Sequence, residues 1–398
     1  MSTEPHAPRL AVVLSHPTQY YSPWFRSLAR HSGLQLRVFY LWQAGSTATR
    51  DPHFERTFAW DVDLLSGYEH EFVPNTSRRA GTYHFDGLRN PTLTARLSAW
   101  QPEAILLFGY AYESNLRVLF WARRRGIPVI FRGDSHLLGR SRPPLRTRIL
   151  LRLLFRQFAA FAYVGAANRD YFTSFGVPSP TLFFAPHAVD DSRFNPRDEP
   201  TIREAAQLRQ QLGLDAETRV FLFAGKWVPA KQPRELLQAF LALNRPKTAL
   251  VFVGDGEERD QLKTIAQSAP RGRVHFLPFA NQSEMPSRYL MADVFALPSR
   301  GLYETWGLAI NEAMHMARPC LVSDRVGCQR DLVTDGQSGW VFSADDFNGL
   351  RDALARACEA DLDAMKPHVA SRISGYTYAA STTGLLQALA FVHPRVTP

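Results

Sequence analysis

Short apolar runs alternate with amphipathic stretches along nearly the whole chain. Runs at 9–15, 36–41, 104–108, 128–131 and 161–164 are rich in Val, Leu, Ile and Phe and are bounded by Gly, Pro or polar residues. Such runs read as strands buried on both faces. The stretches 23–30 and 113–125 carry apolar residues at helical spacing and read as helices. Segment 186–200 breaks the pattern: it is polar, Pro-punctuated and reads as a linker. The alternation then restarts with runs at 219–223, 249–253, 274–277, 294–297 and 320–322, and 376–392 reads as a closing helix. An α/β chain of two similar Rossmann-like domains facing each other across a cleft is the expected result. The expected bounds are 1–190 for the first domain, 191–215 for the linker and start of the second, and 216–375 for the second. The helix in 376–398 is expected to pack back toward the first domain.

Composition narrows the partners. With 398 residues, 45% of them hydrophobic, each half can bury its own core. No apolar run approaches the length of a membrane span, and residues 1–8 lack the apolar region of a signal peptide. The three cysteines, Cys320, Cys328 and Cys358, have no metal or CxxC spacing and suit a reducing cytoplasm. The formal charge of +9 points to an anionic partner. Nucleic acid is the weakest choice, since there is no zinc finger and no aromatic RNA-binding motif.

Candidate chemistry gathers at the expected strand ends of the second half. Glu304 and Glu312 are separated by seven residues, the first on a loop after a strand and the second on the following helix. In open α/β sheets ligands bind at that edge. Gly225-Lys226 and Lys231 follow the first strand of this half, where two ammonium groups beside a helix start can neutralise a diphosphate. Taken alone, the lysines fit a solvated surface better. Gly254-Asp255-Gly256 forms a tight turn at another strand end, a pattern also common without ligands. Segments 323–331 and 335–340 complete the series.

In this order and spacing, the segments resemble the family-4 glycosyltransferases, retaining enzymes of the GT-B fold. The resemblance is strong over 219–345 and looser over 9–195. It implies that Lys226 and Lys231 bind the diphosphate of a nucleotide sugar, and that Glu304 contacts the donor sugar near the reacting carbon. It further implies that Glu312 accepts hydrogen bonds from the ribose hydroxyls. Gly225, Gly254 and Asp255 would line the donor site, and the backbone of Thr305, Trp306, Gly307 and Leu308 would face the phosphates. His136, in the loop Phe131-Arg132-Gly133-Asp134-Ser135-His136, joins Glu304, Lys231 and Lys226 in the implied catalytic set, or else caps the following helix. His16, Gln19, Tyr110 and Glu113 are acceptor-side candidates; His187, near the hinge, reads as structural. No metal and no cofactor is implied, only a UDP- or GDP-type sugar as donor substrate. The implied reaction moves a sugar, with retained configuration, to a hydroxyl of a glycan, lipid-linked or small-molecule acceptor, as in surface polysaccharide or glycoconjugate biosynthesis. Two alternatives are a non-hydrolysing sugar-nucleotide epimerase and a non-catalytic sugar- or lipid-binding partner in polysaccharide assembly. The chain departs from the family pattern at Lys226, where Arg is usual, at Ala317, Cys328 and Asp331, and most of all in the first loop, Ser15–Tyr21, where paired glycines are usual.

Residues 140–158 hold six arginines and no acid. Arg148, Arg152 and Arg156 share one helix face. Leu150, Leu153, Leu154 and Phe158 fall largely on another, which is expected to cover the sheet. The arginine stripe matches an anionic lipid surface or a lipid-pyrophosphate acceptor, hence a cytoplasmic protein resting on the inner face of the membrane.

Overall fold

The computed structural model describes residues 7–31, 33–45, 49–51, 56–141, 143–270, 272–301 and 304–393. Met1 to His6, Arg142 of the arginine run, and Leu302 and Tyr303 of the segment before Glu304 lie outside the described residues.

The first sheet takes β1 (Arg9–Leu14) and β2 (Gln35–Tyr40). A small antiparallel pair, β3 (Thr49–Asp51) and β4 (Arg56–Phe58), stands apart from it. The sheet continues with β5 (Glu69–Phe72), β6 (Ala104–Phe108), β7 (Val129–Arg132), β8 (Ala160–Tyr163) and β9 (Leu182–Phe184). Its order is β5-β2-β1-β6-β7-β8-β9, with every neighbouring pair parallel. The second sheet holds β10 (Arg219–Lys226), β11 (Thr248–Asp255), β12 (Val274–Leu277), β13 (Val294–Leu297), β14 (Cys320–Ser323) and β15 (Gly339–Phe342). Its order is β12-β11-β10-β13-β14-β15, again all parallel.

Central strands such as β6 (AILLF) are buried along their whole length, because helices cover both faces. Each sheet accordingly has one apolar cluster per face. The edge strand β5 reads EHEF, without an apolar run. It is recruited by β2, and an Arg37–Glu69 ion pair of 2.9 Å lies on its exposed side. The closing helix Tyr378–Val392 inserts Leu385, Ala388 and Leu389 into the core around β1. It is tied down by hydrogen bonds from Trp24 Nε1 to Thr382 Oγ1 (3.1 Å) and from Ser381 Oγ to the Pro186 carbonyl (2.6 Å).

The arginine-rich helix, Leu145–Phe155, differs from expectation in part: Phe158 is buried and Leu154 packs half-buried on the same core, as expected. Leu151 and Phe155, with Phe158 just beyond, are the residues that cover the sheet. Leu150 and Leu153, expected to do so, are 65% and 51% exposed. The buried stripe steps by four and then three residues, which places 153 on the opposite side and 150 on the flank. Leu145 and Ile149 are exposed beside them, and Arg146, Arg152 and Arg156 share that surface.

Candidate functional site

Strand order reverses between β10 and β13, so the loops leaving their carboxyl ends diverge and open a crevice. Lys231 comes from the loop after β10 and Glu304 from the loop after β13. They meet at the crevice, Nζ to Oε2 2.9 Å, with Glu304 13% exposed. Backbone geometry makes room for this. Gly225 and Gly254 are opposed in register at the ends of β10 and β11 with φ of 146° and 137°. A Cβ on Gly254 would lie 2.1 Å from the Gly225 carbonyl oxygen, so only glycine fits. Gly307, at φ 99°, turns the chain into the helix Leu308–His315. The first amides of a helix have no intrahelical acceptor, and here Leu308 and Ala309 line the crevice.

The crevice widens into a cavity of about 300 Å³ between the two sheets. Gly225, Lys231, Gly254, Glu304, Thr305, Trp306, Gly307, Leu308 and Glu312 line it from the second domain; Gln19, Tyr20, Trp60 and Asp134 line it from the first. Glu312 lies at its buried side, 3% exposed. Tyr20 Oη donates to Oε1 at 3.1 Å and Tyr289 Oη to Oε2 at 2.7 Å. Burial raises the Glu312 pKa, and the two phenol hydrogen bonds only partly oppose this. Burial likewise lifts the Tyr20 and Tyr289 pKa values, with the neighbouring carboxylate adding to it.

Further bonds cross between the domains around the cavity. Thr305 Oγ1 donates to Asp134 Oδ2 at 2.8 Å, and His187 Nε2 lies 3.5 Å from the same oxygen. Burial works to raise the Asp134 pKa, but the His187 and Thr305 hydrogen bonds outweigh it and hold it below the usual range. Beneath this loop Arg132, 2% exposed, donates to the carbonyls of Ala185 (2.8 Å) and Pro186 (3.3 Å). His136 is 1% exposed and does not line the cavity. Its Nδ1 accepts the Leu138 N–H at 3.1 Å, so the proton sits on Nε2, 3.4 Å from the Glu304 carbonyl. The ring props the Glu304 loop from behind.

Other sequence candidates lie outside the lining. Lys226 closes β10 opposite Asp255. The Asp255 carboxylate is occupied by Arg259 (Nε, 2.7 Å) and by the Gly256 N–H of its own turn (2.8 Å). His16 bonds Ser15 Oγ at 3.0 Å and packs edge-on against Trp42. Tyr110 meets the Tyr171 hydroxyl at 3.1 Å within the helical layer. Glu113 pairs with Arg117 at 2.7 Å and with Arg89. Sequence reasoning gave no role to Tyr20, Trp60, Asp134, Gln282 or Tyr289, all of which line the cavity. Tyr20 and Asp134 sit in strand-end loops already marked as candidate loops, which was the available signal.

Burial holds the pKa values of His16 (to about 4), His136 and His187 below their usual value. Folded protein then binds fewer protons than unfolded. The stability these residues supply is complete above about pH 6.5 and is lost as pH falls through their folded values. The urea midpoint is expected to drop between pH 7 and pH 5, and to drop less in His16→Gln. An equal drop in that variant would exclude His16 as a source.

Among the described residues no group of His, Cys, Asp and Glu is arranged to hold a metal ion, and no helix is long and apolar enough to cross a membrane. Residues 204–372 match the family model of glycosyl transferases group 1. The chain is 31% identical over 242 residues to a GDP-mannose-dependent alpha-(1-6)-phosphatidylinositol monomannoside mannosyltransferase of Mycolicibacterium smegmatis, covering 58% of this chain and 62% of that protein. It is 30% identical over 178 residues to a UDP-Gal:alpha-D-GlcNAc-diphosphoundecaprenol alpha-1,3-galactosyltransferase of Escherichia coli, covering 44% of each. The chain thus spans roughly half the length of these relatives. Among solved structures, a glycosyltransferase from Rickettsia africae superposes with a TM-score of 0.75 at 9% identity, over 97% of this chain and 98% of that one. Anabaena HepE in complex with UDP superposes with a TM-score of 0.70 at 18% identity, over 96% and 99%. The two all-parallel sheets facing a shared cleft are a GT-B fold, and residues 204–372 are similar to the glycosyl transferases group 1.

Proposed function

We propose that the protein transfers a sugar from a nucleoside-diphosphate sugar to an acceptor hydroxyl with retention of configuration and without a metal. One observation carries this reading: the Lys231–Glu304 pair, the start of helix Leu308–His315 and the buried Glu312 line a single cavity at the switch point of the second sheet. A diphosphate fits against Lys231 and the free amides of that helix. Ribose hydroxyls take the place of a phenol on Glu312, which leaves the sugar beside Glu304. The anomeric carbon–oxygen bond to the diphosphate breaks, and a bond to the acceptor oxygen forms on the same face. The hydroxyl proton passes to the departing phosphate oxygen. Catalysis on this reading is positioning and charge stabilisation. Donors named for the relatives, GDP-mannose and UDP-galactose, leave the choice between UDP and GDP to experiment. The test is release of nucleoside diphosphate from a panel of nucleotide sugars, with NMR of the new linkage. A product of inverted configuration would refute the retaining mechanism, and an unlinked epimer of the donor would favour epimerisation.

The acceptor side carries a second part of the proposal: a cytoplasmic protein that rests on anionic lipid. Support comes from helix Leu145–Phe155, where Leu145, Ile149, Leu150 and Leu153 are exposed beside Arg146, Arg152 and Arg156, with Arg148 half-buried at the flank. A basic, apolar helix surface suits the headgroup region of an anionic bilayer. Each arginine near such a surface contributes about 1 kcal/mol. Replacing Arg146, Arg152 and Arg156 with alanine should therefore weaken co-sedimentation with phosphatidylglycerol vesicles by about 100-fold at low salt. Equal sedimentation of wild type and variant would remove this part.

A further inference from the structure

The first domain reaches the cavity at a second place, far along the chain from the loops after β1 and β7. Residues 59–61, between β4 and β5, run against the second-domain loop that follows β12. Asn281 Nδ2 donates to the Ala59 carbonyl at 2.9 Å. The Ser283 N–H donates to both Asp61 carboxylate oxygens at 3.3 and 3.2 Å, and the Ser283 hydroxyl donates to Oδ2 as well. Trp60 lies between these two fastenings and lines the cavity with Phe279, Ala280 and Gln282.

Sheet order fixes where along the cavity this happens. In β12-β11-β10-β13, the loop after β12 lies at one end of the lining, Gly254 and Gly225 come next, and the Glu304 loop after β13 lies at the other end. A ligand with its diphosphate between Lys231 and the Leu308 helix, extended along this line, ends against Trp60 and Phe279. Both are aromatic, and an aromatic face suits a planar heterocycle.

We infer that Trp60 is a nucleobase contact delivered by the first domain, so that the base of the donor is gripped between the two domains. The inference rests on the nucleotide-sugar reading above. Asp61 is the positioning residue: its bonds to Ser283 hold Trp60 over the second-domain loop. Base recognition then depends on the cleft being closed, because the contact is broken when the domains separate.

Isothermal titration of UDP and of GDP into the full chain tests this. Loss of a base–aromatic stack weakens binding of the preferred nucleotide by about 5- to 100-fold in Trp60→Ala. Trp60→Phe keeps a ring and stays within about threefold of wild type, whereas Trp60→Leu, which keeps apolar bulk without a ring, does not recover affinity. Asp61→Asn weakens both nucleotides in the same direction. If Trp60→Ala fails to fold, the Phe and Leu variants carry the comparison. Lys231→Ala separates the two levels. Weakened binding in Lys231→Ala with wild-type binding in the Ala and Leu variants of Trp60 overturns the base contact and leaves the donor site intact. Rescue by Leu equal to that by Phe would make Trp60 a packing residue and also overturn it. A wild-type chain that binds neither nucleotide overturns both readings.

Discussion

Lys231→Ala is expected to lower the rate of sugar transfer by roughly 10²–10³-fold, the typical cost of removing one preorganised charge from a developing anion. Lys231 Nζ lies 2.9 Å from Glu304 Oε2, so the ammonium already sits beside the carboxylate assigned to the donor sugar. Its removal withdraws the cation facing the leaving diphosphate. It also leaves the Glu304 carboxylate, 13% exposed, without its counter-charge. Glu304→Ala should cost a similar factor through the sugar. Because the two side chains touch, the double variant should lose far less than the product of the single losses. Initial rates with saturating donor measure this; near-wild-type turnover in either single variant would refute the assignment.

The second large effect concerns Glu312 and combines a gain with a loss. Glu312→Gln should weaken donor binding by about 10- to 100-fold, since hydrogen bonds to a charged group contribute about 1.5–3 kcal/mol. The same substitution should stabilise the unliganded fold. Glu312 is 3% exposed and its pKa is raised by burial, so the folded chain holds its proton more tightly than the unfolded chain does. The associated stability is present below the usual carboxylate range and is lost as pH rises through the folded value. Glutamine carries no such cost. The difference in melting temperature between Glu312→Gln and wild type should therefore be small in acid and should grow in favour of the variant toward neutral pH. A variant less stable than wild type at neutral pH would show that Tyr20 and Tyr289, which donate to this carboxylate at 3.1 and 2.7 Å, outweigh its burial.

Much of this arrangement was legible along the chain because it depends on local order. Apolar runs such as AILLF and the restart at 219 mark strands buried by helices, and the parallel sheets follow. Gly225, Lys231, Gly254, Glu304 and Glu312 could be selected because they fall at or beyond strand ends in the order and spacing of the family the chain resembles. What was not legible depends on partners distant in sequence. The strand EHEF forms at an edge, where its neighbour supplies the backbone pairing and burial is not required. Tyr289 and Tyr20 become ligands of one carboxylate only when helix Met285–Met291 and the loop after β1 converge on it. Asp134 and His136 share one loop. Geometry alone decides that the aspartate lines the cavity while the histidine supports Glu304 from behind. In helix Leu145–Phe155 the apolar stripe was read with Leu150 and Leu153 on the covered face, where Leu151 and Phe155 stand.

Thermal shift with a panel of nucleoside diphosphates and nucleotide sugars addresses the donor site itself. A ligand present at 100 times its Kd stabilises the fold by about 2.7 kcal/mol. One base and one sugar should raise the wild-type melting temperature most, and that rise should fall by about half or more in both Lys231→Ala and Glu312→Gln. A wild-type chain that responds to none of them, or a rise that is undiminished in both variants, would contradict the clamp of Lys231, Glu304 and Glu312.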